Sequence, residues 1–378
     1  MVKYIFKAYK TALNKLKFPD SWFWARYTIN PYSGCAHACI YCDARSQRYY
    51  LTDFEDEVII KENIDKNLDQ TINRSRTLLP DVIGPGGVCD AYQPIEKEIQ
   101  NTRKLLQVIA KHKYPVNIAT KNKLITRDID ILNKIADDTW CAIGFSITSI
   151  NEEIAKVLEP YSTPPKERLE AIKIIKQKAP NIKVGTYLIP NIPFLCDGDE
   201  NIEDIIKKSK EVGADFVLFS PGLTMRDLQQ DYFLEKLKNS KFKDCVKPIL
   251  ELYSGNYYAP FEYTKKIQMK FLKYCKKYDI AIRIKRWIPK DHRKWNYKIA
   301  ELLLNEEYIE GLRTYKSNKT MMWAGLYLNN LKESIMNVYE RGDLGKLRNF
   351  TKQIIEFVTP YLEKSKEFKQ KKGLDRFI

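Results

Sequence analysis

The chain has 378 residues, is 44% hydrophobic, and carries 64 Lys+Arg against 48 Asp+Glu, a formal net charge of +16. That length and apolar content suit one large α/β domain with an appendage, or two domains, and argue against a disordered chain. No run reaches the roughly 18 apolar residues of a membrane span, and the first residues lack the apolar stretch and cleavage site of a signal peptide, so a cytoplasmic protein with no membrane partner is expected.

Residues 1–24 form an N-terminal segment that begins MVKYIFKAYKTALNKLKF and reads as basic, aromatic and amphipathic. Residues 25–230 alternate short apolar runs with helical patterns. The runs are TINPYSG (28–34), VIGPGGVCD (82–90), VNIAT (116–120), CAIGFSI (141–147), IKVGTYLIP (182–190) and DFVLFS (215–220). Most are rich in β-branched or aromatic residues and bounded by Pro, Gly, Asp or Ser, as buried strands are. Between them, 96–112 spaces Ile99, Leu105, Val108 and Ile109 for one helical face, and 166–178 starts just after Pro164 and Pro165, where proline is tolerated. FLCDGDEN holds Asp197, Asp199 and Glu200 without calcium-loop spacing, and reads as a turn that caps the next helix. Six strand–helix repeats imply a parallel sheet with right-handed crossovers, a partial (β/α)6 TIM-type barrel whose active site lies at the C-terminal ends of the strands.

Past 230 the pattern changes. AIRIKRWIP (281–289) is a candidate seventh strand, and 297–312, 321–342 and 347–370 read as helices of a basic C-terminal region, 231–378. Residues 1–230 carry 32 Lys+Arg and 30 Asp+Glu, whereas 231–378 carry 32 and 18. Such a bias is the footprint of a polyanion partner, DNA or RNA, or else a solvated basic surface. Within it, KRWIPKDHRKWNY (285–297) sets cations beside Trp287, Trp295 and Tyr297, a pattern for phosphate contact and base stacking or for a helix-packing seam.

The densest chemistry lies in PYSGCAHACIYCDARSQ (31–47), directly after the first strand run. In a reducing compartment, thiols this close are metal ligands or catalysts. Thiolates favour zinc or iron–sulfur clusters, and a closed site wants four protein ligands. Cys35, Cys39 and Cys42 supply three, which leaves one metal position open. A Cys3His zinc site with His37 is the alternative. Cys141, Cys196, Cys245 and Cys275 read as core or surface thiols, and His112 and His292 show no partner pattern.

The stretch CAHACIYC, with Tyr41 before the last cysteine, resembles the C-x3-C-x-aromatic-C signature of radical S-adenosylmethionine enzymes. NPYSGCAHACIYCDAR, CDAYQPIEKE (89–98), ATKNKLITRDIDIL (119–132), SITSINEEIAKVLEP (146–160) and ERLEAI (167–172) resemble its spore photoproduct lyase-related branch over roughly residues 25–225. The resemblance implies that the three cysteines hold a [4Fe-4S] cluster and that S-adenosylmethionine binds the open iron and is cleaved to a 5′-deoxyadenosyl radical. An external electron donor is implied with it. By the same likeness, Gly86 and Gly87 stand where the superfamily has a Gly-Gly-Glu motif for the cofactor amino group. Val88 replaces the glutamate, so Asp90 or backbone carbonyls take that role. Lys121 matches a lysine for the cofactor carboxylate, Ser146 a ribose or carboxylate contact, and Glu159 and Arg168 outer supports. Cys89 corresponds to a hydrogen donor. The expected function is a radical S-adenosylmethionine enzyme, with nucleic-acid repair or modification suggested by the resemblance and proteins or small molecules left open as the substrates of related branches. The competing reading is a non-enzymatic nucleic-acid-binding protein with a structural metal site.

Overall fold

The computed structural model describes residues 2–50, 54 and 56–374, with side chains described through residue 364. Two compact units result. One comprises the segment ending at Leu16 together with Trp22–Lys285, and the other comprises Lys17–Ser21 and the chain from Arg286 onward.

The first unit holds strands β1 (Lys3–Ala8), β2 (Asn14–Lys15), β3 (Tyr27–Ile29), β4 (Tyr32–Ser33), β5 (Glu57–Glu62), β6 (Ile83–Pro85), β7 (Val116–Thr120), β8 (Cys141–Ser146), β9 (Lys183–Leu188) and β10 (Phe216–Phe219). The main sheet runs β10-β9-β8-β7-β6-β3-β2. Its six strands from β3 to β10 are parallel, in sequence order, and only β2 is antiparallel. This is the α/β partial barrel expected from the six apolar runs. β8 is buried at every residue, as a strand covered on both faces must be. Its Gly144 lies under the Tyr187 ring, and Gly185 of β9 lies against Phe216, so each glycine makes room for a large aromatic of the neighbouring strand. The Tyr187 hydroxyl donates to Asn117 Oδ1 at 3.2 Å and ties β9 to β7 across the interior.

Several details depart from the sequence expectations or lie outside them. β1 pairs in parallel with β5, which pairs with β4, so the N-terminal segment, read from the sequence only as basic and amphipathic, contributes a strand to a small three-stranded sheet. The helical pattern at 96–112 breaks at Gln100, whose φ is +58°. Glu96 turns inward there and accepts from Thr102 N at 2.9 Å, a carboxylate on a helix N-terminus. The candidate seventh strand makes one isolated bridge, Ala281 beside Phe216. Beyond it the carbonyl of Ile284 accepts from the Trp24 indole at 2.9 Å, so the ladder does not continue. The first unit also reaches Lys285 instead of ending near 230. The helix Phe261–Lys277 packs on it, with the Phe271 ring stacked on Phe219 at 4.5 Å and Lys270 paired to Asp199 at 2.8 Å.

The second unit is helical, with Arg293–Thr314, Lys319–Leu328, Ile335–Glu340 and Lys352–Leu374 around Ile299, Leu303, Ala324, Leu328, Ile335 and Val358. The stretch 321–342 is two helices and not one. Asn329 ends the first by donating to the Gly325 and Leu326 carbonyls and accepting from Arg286.

Candidate functional site

The cysteine loop starts where β4 ends. Gly34 has a φ of +80°, and a Cβ there would collide with the Glu57 carbonyl, so only glycine lets the chain turn under β5. From there the loop is pinned on every side. Cys35 N donates to Phe54 O at 3.1 Å and Ile40 N to Leu158 O at 3.0 Å. Gln93, fully buried, accepts from Ala36 N at 2.9 Å and donates to Gly34 O at 3.1 Å. Arg45 Nε donates to Cys39 O at 3.2 Å, with its guanidinium stacked 3.6 Å above the Tyr232 ring. The Tyr41 hydroxyl donates to Glu159, and Arg168 meets the same carboxylate at 2.5 Å while donating to Ser146 O at 2.6 Å. Burial works to raise the Glu159 pKa, but Arg168 and Lys121 hold it below the usual range. Glu159 and Arg168 thus brace the loop against the end of β8 and are themselves 97% or more buried.

Cys35, Cys39 and Cys42 face a cavity of about 170 Å³ together with Gly86, Gly87, Cys89, Asp90, Lys121 and Ser146. Each of these lies at or just past the C-terminal end of a strand, where a barrel carries its chemistry. The structure therefore brings the three cysteines and the residues expected to meet the cofactor around one cavity. Burial raises the pKa of all three thiols, that of Cys39 to about 12. A cation bound there would draw off the protons. Among the described residues, no three His, Cys, Asp or Glu side chains converge on one ion. His37 is otherwise engaged, with Nδ1 3.0 Å from Tyr161 O and Nε2 3.3 Å from Asp90.

Asp90 differs most from its expected part. Oδ1 accepts from Tyr92 N and Thr120 Oγ1, both at 2.8 Å, and Oδ2 from Lys121 N at 2.7 Å, with His37 beside it. A carboxylate has about four acceptor positions, and these three hydrogen bonds take most of them. Burial pushes the Asp90 pKa up, but His37 and the two N–H groups outweigh it and hold it at about 2. Burial lowers the Lys121 pKa, yet Cys39 and Glu159 leave it above its ordinary value, and the ammonium lies 5.7 Å from the Tyr41 ring centre. Cys89 Sγ donates to Tyr32 O at 3.3 Å, and burial raises its pKa to about 12. Gln93 and Arg45 were not singled out in the sequence. Gln93 stands beside Pro94 in the quoted CDAYQP stretch, and Arg45 ends the quoted CDAR, but neither spacing reveals that it holds loop backbone.

Of the two readings of 285–297, the structure favours the packing seam over the stacking surface. Trp287 and Tyr297 are buried, and the Arg286 guanidinium lies 3.9 Å over the Tyr297 ring inside the helical unit. They form the packing seam, and of the three aromatics only Trp295 keeps part of its surface, under Lys298 at 4.5 Å. No described helix is long and apolar enough to cross a membrane.

A parallel partial barrel with a three-cysteine loop at its mouth defines a class, and comparison with known proteins agrees. Residues 29–207 match the Radical SAM superfamily. An uncharacterized protein of Methanocaldococcus jannaschii is 31% identical over 203 residues, covering 53% of this chain and 71% of the relative. One from Mycobacterium tuberculosis is 27% identical over 277 residues, covering 72% and 80%. Among solved structures, a spore photoproduct lyase variant matches with a TM-score of 0.56 at 16% identity, over 73% of this chain and 79% of that one. A spore photoproduct lyase mutant with bound AdoMet and dinucleoside spore photoproduct matches with a TM-score of 0.50 at 15% identity, over 67% and 74%. The chain belongs to the radical SAM superfamily. It is an enzyme whose cofactors are those of the superfamily, a [4Fe-4S] cluster and S-adenosylmethionine. The reading as a non-enzymatic binding protein is thereby set aside.

Proposed function

We propose that Cys35, Cys39 and Cys42 hold the cluster, that S-adenosylmethionine occupies the cavity beside them, and that the substrate is a nucleic acid to be repaired or modified. The observation that carries this reading is the gathering of three thiols, a glycine turn, a lysine and a serine around one cavity at the strand ends. When bound, the cluster supplies the electron that splits the sulfonium to a 5′-deoxyadenosyl radical.

The chain's own residues divide the remaining work. Three protein thiols leave one corner of the cluster for the cofactor. The turn at Gly86 and Gly87 offers backbone carbonyls to the amino group, because three hydrogen bonds within the chain already take most of the acceptor capacity of Asp90. Lys121 supplies a compact positive charge for the carboxylate. Ser146 Oγ, with no protein partner among the described residues, is available to the ribose or carboxylate. Cys89 keeps its proton in the folded chain and stands on the cavity wall, as a hydrogen-atom donor must. The nucleic-acid substrate is supported by the basic balance beyond residue 230 and by the dinucleoside bound to the fold's structural neighbour. Trp287 and Tyr297 take no part in it. An electron donor outside the chain completes the system.

Anaerobic reconstitution tests the reading. Four irons per chain and release of 5′-deoxyadenosine under reductant are expected, with both lost in Cys35→Ala, Cys39→Ala and Cys42→Ala. Assay against UV-damaged DNA, RNA and protein extracts then identifies the substrate class. One zinc and no cofactor cleavage would overturn the proposal.

A further inference from the structure

The turn from Glu159 to Thr163 crosses the cysteine loop, and its residues are fixed at both ends. Glu159 is held by Arg168 and Tyr41. Tyr161 O lies 3.0 Å from His37 Nδ1, and Ser162 N donates back to Glu159 O at 3.2 Å. Thr163 O accepts from Arg168 Nε at 2.6 Å, and its hydroxyl donates to Asn122 Oδ1 at 3.0 Å. Between these anchors, the Ser162 hydroxyl lies 4.0 Å from Cys39 Sγ, at the outer edge of hydrogen-bonding reach to sulfur, and no other partner for it appears among the described residues.

We infer that Ser162 donates a hydrogen bond to the Cys39 sulfur and thereby raises the reduction potential of the cluster that Cys39 helps to hold. The inference rests on the assignment of Cys39 as a ligand. A ligating thiolate carries no proton, so in this pair the hydroxyl is the donor. A donor aimed at a cluster sulfur favours the more negatively charged, reduced state, and hydrogen bonds to sulfur are among the main controls of cluster potential. The neighbours of Ser162 are held before any metal arrives, so the orientation costs little ordering at the time of binding. His37 acts one step behind, by holding the Tyr161 carbonyl and with it the turn.

The experiment compares full-length wild type, Ser162→Thr and Ser162→Val after anaerobic reconstitution, with iron content, visible absorption and an EPR-monitored redox titration. Threonine keeps the hydroxyl and valine replaces it with a methyl group of the same shape. The valine variant is expected to bind the same iron and to be about three- to tenfold less reduced at a fixed poise, a negative shift of roughly 30 to 60 mV for one electron. The threonine variant returns toward the wild-type potential. Equal potentials in wild type and the valine variant, or a threonine variant shifted as far as valine, overturn the inference and leave the cysteine assignment standing. A wild-type chain that binds no cluster overturns both.

Discussion

At Gly86 the backbone takes a φ of +79°, and a Cβ would stand 2.7 Å from Cys89 O and 2.9 Å from Ala91 N. Both are main-chain atoms and cannot rotate away. Gly86→Ala is therefore expected to cost on the order of 1–3 kcal/mol. Gly87→Ala, whose Cβ meets nothing within 4 Å, should leave the fold intact. Urea unfolding of the two variants separates them, and equal losses would mean the turn is not tight. Asp90 makes a prediction in pH. Its folded pKa is about 2, below the ordinary 3.8. A depressed carboxylate adds stability above its unfolded pKa and loses it as the pH falls through the folded value. The metal-free protein should thus lose on the order of 2 kcal/mol between about pH 4 and pH 2 from this group. Asp90→Asn should flatten that part of the profile, and an unchanged profile would show that Asp90 is not the source.

Among elements, the cysteine loop depends on neighbours far along the chain. Gln93 holds Ala36 N and Gly34 O at once, and both are buried with it. Gln93→Ala leaves a donor and an acceptor unsatisfied, at about 1–3 kcal/mol each. The expected result is a folded barrel whose cysteine loop exchanges amide protons faster and takes up less iron. Normal iron uptake with normal exchange would show that the other anchors suffice. The sequence made the strands legible because each is a short apolar run between breakers, and β7, β8 and β9 fall within those runs. It did not make β1 and β5 legible. β1 is mostly exposed, and its residues pair only because β5 returns beside them. The helix break at Gln100 was equally hidden, since it depends on where the Glu96 carboxylate points.

For the molecule as a whole, the boundary at Lys285 changes how the charge is shared. Residues 231–285 carry 13 Lys+Arg against 6 Asp+Glu, and 286–378 carry 19 against 12. The excess therefore divides evenly between the last part of the barrel unit and the helical unit, and is not the property of one appended domain. If a nucleic acid is the substrate, binding by the full chain should weaken steeply with salt, log K falling by about 0.9 per contacted duplex phosphate for each unit of log salt. A flat salt dependence, measured by fluorescence anisotropy with duplex and single-stranded probes, would remove the polyanion from the proposal.

The three cysteines, their spacing and their place after the first strand run were determined by the amino-acid sequence, because ligand geometry within eight residues is local and strand periodicity is short-range. Tertiary structure alone decided the use of Asp90, the burial of Trp287 and Tyr297, and the pairing of Ser162 with Cys39. Each depends on which groups from distant segments meet. A carboxylate has only so many lone pairs, and an aromatic ring has only two faces. Once folding has spent them on neighbours, they are no longer available to a ligand.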